Sequence, residues 1–255
     1  MRPLPRRLQY GEEATLVEHL GELRTRIVVA LLAVALAFAG TYAVHARLIH
    51  WLELALPKER RHLFTLGVAE PFLTSFSVSL YAAMIIALPI VLYQIWAFLA
   101  PAFDVHTQRV VVGLAGFAAA LAATGLLFGY FVVLPAAVHF LTNYDSSLYE
   151  IHIRARDYIS FASLVLVAVT VVFEIPIFIL ALVRIGLLSS KKLRKNRRIG
   201  YAAMSVLAVA LPGVDPVTTT IEMIPLMALF EISIWLSVLL DQRTGAPARA
   251  QSATE

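Results

Sequence analysis

The residues that invite chemistry in this chain are mostly acids in unusual places. Glu174 lies inside the run Tyr158 to Val183, which is otherwise uncharged. A charge at mid-membrane depth costs about 2.5–3.5 kcal/mol on insertion scales, so such a residue has a use: to hold a proton, to bond across a bundle, or to meet a polar group of a partner helix. Pro176 follows two residues later, which removes a backbone donor and frees carbonyls for polar contacts. Gln94 and Glu231 raise the same question within apolar runs of their own. Glu22 differs, because Arg26 at i+4 offers it an ordinary helix-surface ion pair worth about 0.2–0.5 kcal/mol. Glu18, one turn the other way, adds like charge, and an acidic patch at a membrane surface is a natural receiver for the planar fork of an arginine. From composition alone the internal pair is the simpler of these two readings.

Other chemistries find no support. The seven histidines show no metal-ligand spacing, and the chain has no cysteine, so thiolate catalysis, disulfides and cysteine-held metals are excluded. There is no phosphate-cradling glycine loop, nucleophile elbow or nucleotide fingerprint. No cofactor, catalytic residue or nucleic-acid partner is expected, and any energy used comes from outside the chain.

These residues must be positioned by membrane-spanning helices. The 255 residues are 60% hydrophobic and 15% charged, with a mean hydropathy of +0.79, against about 25% charged residues in soluble domains. A span needs about 20 apolar residues. Six runs qualify or nearly so, at about 27–44, 75–99, 110–134, 158–183, 199–212 and 222–240. The expected fold is therefore all-α, one polytopic domain over residues 1–240 with short fifth and sixth spans. A lead-in helix over about 14–26 carries Leu16, Leu20, Leu23 and Ile27 on one face. Leu48, Trp51, Leu52 and Ala55 make an amphipathic stretch in the first loop, which breaks at Pro57. Residues 241–255 read as a disordered tail. Gly125 and Gly129 let a neighbouring helix approach closely, with internal packing as the default use.

Lys and Arg alternate between the connections, fifteen on the side of both termini and six on the other. By the positive-inside rule both ends are cytoplasmic. The basic run Lys191 to Arg198 serves chiefly as a determinant of that topology. The first apolar run is longer than a signal-peptide core and follows four glutamates, so it is expected to be retained.

Several strings in order resemble the TatC family, the receptor subunit of the twin-arginine protein translocase. They are His19-Leu20-Gly21-Glu22-Leu23-Arg24-Thr25-Arg26, Glu70-Pro71-Phe72, Tyr93-Gln94-Ile95-Trp96-Ala97-Phe98-Leu99-Ala100-Pro101, Phe128-Gly129-Tyr130-Phe131 with Pro135, Asp157-Tyr158, Phe173-Glu174-Ile175-Pro176, Asp215-Pro216 and Leu229-Phe230-Glu231. The resemblance implies a prokaryotic inner-membrane receptor for folded cargo bearing twin-arginine signal peptides. It also implies assembly with single-span TatA- and TatB-type subunits into an oligomeric complex driven by the proton gradient. It assigns signal-peptide binding to Glu22, Arg24 and Phe98, and intramembrane polar contacts to Glu174, Gln94, Glu231 and Asp215. Two departures stand out. Thr107 occupies the place of a family acid, for which Asp104 is the candidate substitute, and Leu211-Pro212-Gly213-Val214-Asp215-Pro216 is one residue longer than the usual family turn. Two other readings are a proton-coupled secondary transporter using Glu174 and a scaffold without signal recognition. The first lacks the paired half-chain repeat common in transporters, and an intramembrane hydrolase lacks a nucleophile and base.

Overall fold

The computed structural model describes residues 16–99, 105–149, 151–184, 187–213 and 215–244, with side chains for slightly fewer. Its elements in chain order are α1 (Leu16–Ala43), α2 (His45–Leu54), a 3-10 turn (Lys58–Arg60), α3 (Glu70–Leu99), α4 (Val105–Phe128), a π turn (Gly129–Val133), α5 (Leu134–Asn143), α6 (Ala155–Val172), α7 (Ile175–Arg184), α8 (Ser190–Lys195), α9 (Arg197–Ala210) and α10 (Pro216–Thr244). Among the described residues five helical stretches are long and apolar enough to cross a bilayer: His19–Ala43, Glu70–Phe98, Gly116–Asn143, Ala155–Val183 and Pro216–Leu239. The fifth run, about 199–212, forms α9, whose 14 residues reach about 21 Å against a hydrocarbon core of about 30 Å.

The lead-in helix and the first span are one element, because no Gly-Pro or Asn-type breaker separates them. α1 packs chiefly along α3, antiparallel, with the His19 ring stacked on Phe98 at one end and Thr41 Oγ1 donating to the Ser79 carbonyl at 2.8 Å near the other. α10 packs against α7, α8 and α9. On the remote face α2 lies against α3 and α6. Leu52 and Leu56 are buried there with Val78, Leu134, Val138, Tyr158 and Ile159. Tyr158 donates to the Leu52 carbonyl at 2.6 Å and Tyr130 to the Trp51 carbonyl at 2.8 Å, so the amphipathic stretch is pinned through its backbone while Trp51 itself stays exposed.

The two long loops of that face are joined. Phe64 and Arg154 form a parallel bridge, with Phe64 N donating to Ile153 O at 3.3 Å and Ala155 N to Phe64 O at 2.9 Å. Glu70, buried at the start of α3, accepts from Arg154 and from Leu66 N at 2.8 Å.

Two helices are irregular at prolines. The π turn lies just ahead of Pro135 and gives room to a ring that would otherwise meet the carbonyl four residues back. α6 and α7 form one crossing interrupted at Phe173 and Glu174, where Pro176 has no N–H to continue the ladder. The chain re-enters helix with Ile177 N and Phe178 N both donating to Glu174 O, at 3.0 and 3.2 Å. The small-residue face of α4 is used internally. An added Cβ at Gly125 would lie 2.8 Å from Phe173 Cβ and 3.1 Å from Thr170 Cα, and one at Gly129 would lie 3.1 Å from a Leu166 methyl. Elsewhere Leu31, Leu36, Phe131, Val206, Ile224 and Trp235 point outward, an apolar exterior suited to lipid.

Candidate functional site

Polar groups gather at three levels of the bundle. The first is the face on which α1 begins. Glu22 is half-buried, and its Oε1 accepts from Arg26 Nε at 3.0 Å and from Arg26 Nη2. Its Oε2 is shielded from solvent and has no partner among the described residues. One turn earlier, the ring of His19 lies 4.4 Å from that of Phe98 with an interplanar angle of 19°. The stack ties the acid-bearing turn of α1 to the last turn of α3, so Glu22 and Phe98 belong to one local assembly. Arg24 projects from an exposed position of the same turn. Asp104 lies outside the described residues, immediately before α4. The backbone of Thr107 is in the first turn of α4.

The second level is the break between α6 and α7. Glu174 is fully buried, and neither carboxyl oxygen has a hydrogen-bond partner among the described residues. Its neighbours in sequence enter three apolar clusters: Phe173 with Val133, Val165, Val169 and Leu229, Ile175 with the α9 and α10 cluster around Met204, Leu226 and Phe230, and Ile177 with Leu92, Trp96 and Ala118. The acid thus sits where the packing of α3, α4, α7 and α10 meets. A buried polar group without a partner costs about 1–3 kcal/mol, and the proline break concentrates that cost at one point of the fold. Gln94 is half-buried on α3, two residues from Trp96.

The third level is the α9–α10 hairpin. Glu231 accepts from Tyr201, and Arg197 Nη2 lies 3.4 Å from its other oxygen, so this acid joins the first turns of α9 to the middle of α10. Asp215 is buried and caps α10. Its Oδ1 accepts from Thr218 N at 2.7 Å and its Oδ2 from the Thr218 hydroxyl, which is the N-cap arrangement three residues into a helix that opens on Pro216. The longer turn before it closes with Gly213 N donating to Leu211 O at 2.7 Å.

One residue here escapes a reading by uncharged runs. Glu222 is buried, and both of its oxygens lack hydrogen-bond partners among the described residues. It follows Asp215 and Thr218 on one face of α10, and its Oε2 would lie 3.7 Å from a Cβ placed on Gly213. The signal was present in the spacing, since positions 215, 218, 222, 226 and 229 mark a helical face that turns inward. The expected sixth span, about 222–240, only begins at this residue, where an acid reads as a charge at the edge of the membrane. Among the described residues no group of three His, Cys, Asp or Glu side chains is placed to hold a metal ion.

The chain was compared with known proteins. A family profile described as "Sec-independent protein translocase protein (TatC)" matches residues 18–225. A protein of Desulforapulum autotrophicum named Sec-independent protein translocase protein TatC is 34% identical, the match covering 88% of this chain and 84% of that protein. The Escherichia coli protein of the same name is 33% identical, with 87% of each chain covered. A crystal structure described as the twin arginine translocase receptor TatC, in the detergent DDM, superposes with a TM-score of 0.75 at 31% identity, covering 86% of this chain and 99% of that one.

Proposed function

The chain belongs to the TatC family of Sec-independent protein translocases, a multi-pass membrane subunit at the core of the twin-arginine system, and from that membership we propose how its residues serve it. Glu22 receives the arginines of a signal peptide at the face where α1 begins. The observation that carries this reading is a solvent-shielded carboxylate with one uncommitted oxygen, fixed beside the His19–Phe98 stack. A guanidinium supplies two parallel donors and a flat face, which suit a carboxylate and an aromatic wall; an ammonium supplies neither. Arg24, exposed on the same turn, favours the anionic lipid surface and orients the approach. Asp104, next to the start of α4, adds negative charge in place of the acid that Thr107 lacks. Both termini lie in the cytoplasm by the distribution of basic residues, which puts this face on the side where folded cargo is made.

Glu174 is the contact for a single-span TatA- or TatB-type subunit. In the isolated chain its carboxyl is covered, so engagement requires α7 to part from α4 or α10 across the break at Phe173 and Glu174. Release of an unpartnered buried acid to a polar side chain of the incoming helix offsets part of that opening. Gln94, half-buried on α3 one turn before Phe98, is a further polar group we assign to partner contacts. Glu231 and Asp215 hold the hairpin that flanks it, the first by joining α9 to α10 and the second by capping.

The test is direct binding of a twin-arginine signal peptide to the purified full chain. Wild type is expected to bind it, Glu22→Gln to lose most of that affinity, and a peptide with both arginines changed to lysine to bind weakly to either. Equal affinity of the two peptides for wild type would overturn the assignment.

A further inference from the structure

The way Arg26 holds Glu22 is incomplete, and the incompleteness has a use. Both donors of Arg26 fall on Oε1, whereas the strong carboxylate–guanidinium arrangement places two parallel N–H groups on two oxygens. The i+4 spacing explains the difference: a side chain reaching back along its own helix approaches the carboxylate from one end. Oε2 is left unpaired in a position that water does not reach. A free guanidinium arriving from outside has no such tether and can span both oxygens, provided Arg26 withdraws. An ammonium, a single point donor, can take Oε2 and leave Arg26 where it is.

Resting on the signal-receptor reading above, we infer that Arg26 is a resident stand-in for the cargo arginine, holding Glu22 charged and oriented in the empty receptor and competing with the bound peptide so that cargo can leave. It acts as a brake on affinity and as the group that re-forms the empty state. Arg26 is a positioning residue for Glu22 and does not itself touch the peptide. An i+4 pair of this kind corresponds to about a 1.4- to 2.3-fold competition. Its loss therefore leaves an active receptor with slower release.

The experiment measures affinity and dissociation rate of the twin-arginine and twin-lysine peptides on purified wild type, Arg26→Gln, Arg26→Lys and Glu22→Gln, with thermal melting of each in the same detergent. Arg26→Gln is expected to bind the twin-arginine peptide about 1.4- to 2.3-fold more tightly, chiefly through slower dissociation. The twin-lysine peptide should gain less, so the ratio between the peptides widens. Arg26→Lys, which keeps the charge and gives up the fork, should fall between wild type and Arg26→Gln. Unchanged or weakened twin-arginine binding by Arg26→Gln, with Glu22→Gln still defective, would overturn the stand-in and leave the receptor reading intact. Undiminished binding by Glu22→Gln would instead bring down the receptor assignment itself. Should Arg26→Gln melt early, the Lys variant carries the decision, and wild-type affinity and release there also overturn the proposal.

Discussion

Gly125→Ala tests the packing that positions Glu174. The new Cβ would stand 2.8 Å from Phe173 Cβ, 2.9 Å from Phe173 Cγ and 3.1 Å from Thr170 Cα, against ordinary carbon contacts of about 3.5–4.0 Å. Two of these atoms are close to the backbone of the opposing helix and cannot rotate away. α4 must therefore retreat from α6 by roughly the missing ångström, at a cost of about 1–3 kcal/mol. The same retreat loosens the Phe128–Phe173 ring contact at 5.5 Å and so the wall beside Glu174. Two other glycines of the same crossing, Gly116 in α4 and Gly129 at the start of the π turn, calibrate the result. At Gly129 the nearest atom is a Leu166 methyl at 3.1 Å, the movable end of a side chain, so alanine there should cost less than about 1 kcal/mol. At Gly116 nothing lies within 4 Å, and alanine should be neutral or stabilising by up to about 1 kcal/mol through helix propensity. Thermal melting of the three variants in one detergent should rank Gly116→Ala highest, Gly129→Ala next and Gly125→Ala lowest. A Gly125→Ala protein as stable as the Gly116→Ala protein would refute the close approach of α4 to α6.

Three further outcomes follow from the geometry. Gly200→Ala would place a Cβ 2.0 Å from the Phe230 ring; it should separate α9 from α10 and lower stability by about 1–3 kcal/mol, and restoration by a second change, Phe230→Leu, would trace the effect to that ring. Glu222→Leu removes a buried carboxyl with no partner and is expected to raise stability by about 1–3 kcal/mol; a loss of that size in the melting assay would show that the acid holds something in place. Glu70→Gln and Arg154→Gln each break a partly buried ion pair and should cost about 1–3 kcal/mol singly. The double variant should lose less than the sum, and full additivity in the cycle would dissolve the pair.

Much of this architecture is written locally in the chain. Apolar run length marks the five long crossings, and Pro176 announces the break at Glu174 because the loss of an N–H is a property of one residue. Asp215 followed by Pro216 and Thr218 is a helix start that needs no tertiary information. Function was legible only through ordered resemblance, since Glu22 by itself reads as a surface ion pair. The misses are all long-range. His19 and Phe98 are far apart in the chain and neither predicts the other. Glu70 and Arg154 are separated by 84 positions, and each looks like an ordinary loop charge. Glu222 stands at the edge of the expected sixth span, where an acid reads as a boundary charge, although the inward face of α10 extends past it to Asp215.

The clasp between Glu70 and Arg154 also bears on how the protein is made. Synthesis delivers Glu70 at the head of the second crossing, while Arg154 arrives only after a third crossing has been threaded, at the head of the fourth. During that interval the acid has no counter-charge and the first long loop has no edge to pair with, since Phe64 bonds to residues on either side of Arg154. α1 and α3 can pair early, because they are consecutive crossings that need nothing made later; the cap on the remote face closes late, after a long loop has lost its freedom. The bundle thus acquires its membrane-facing half first and its seal last, and a nascent chain halted before Arg154 would be inserted and yet open.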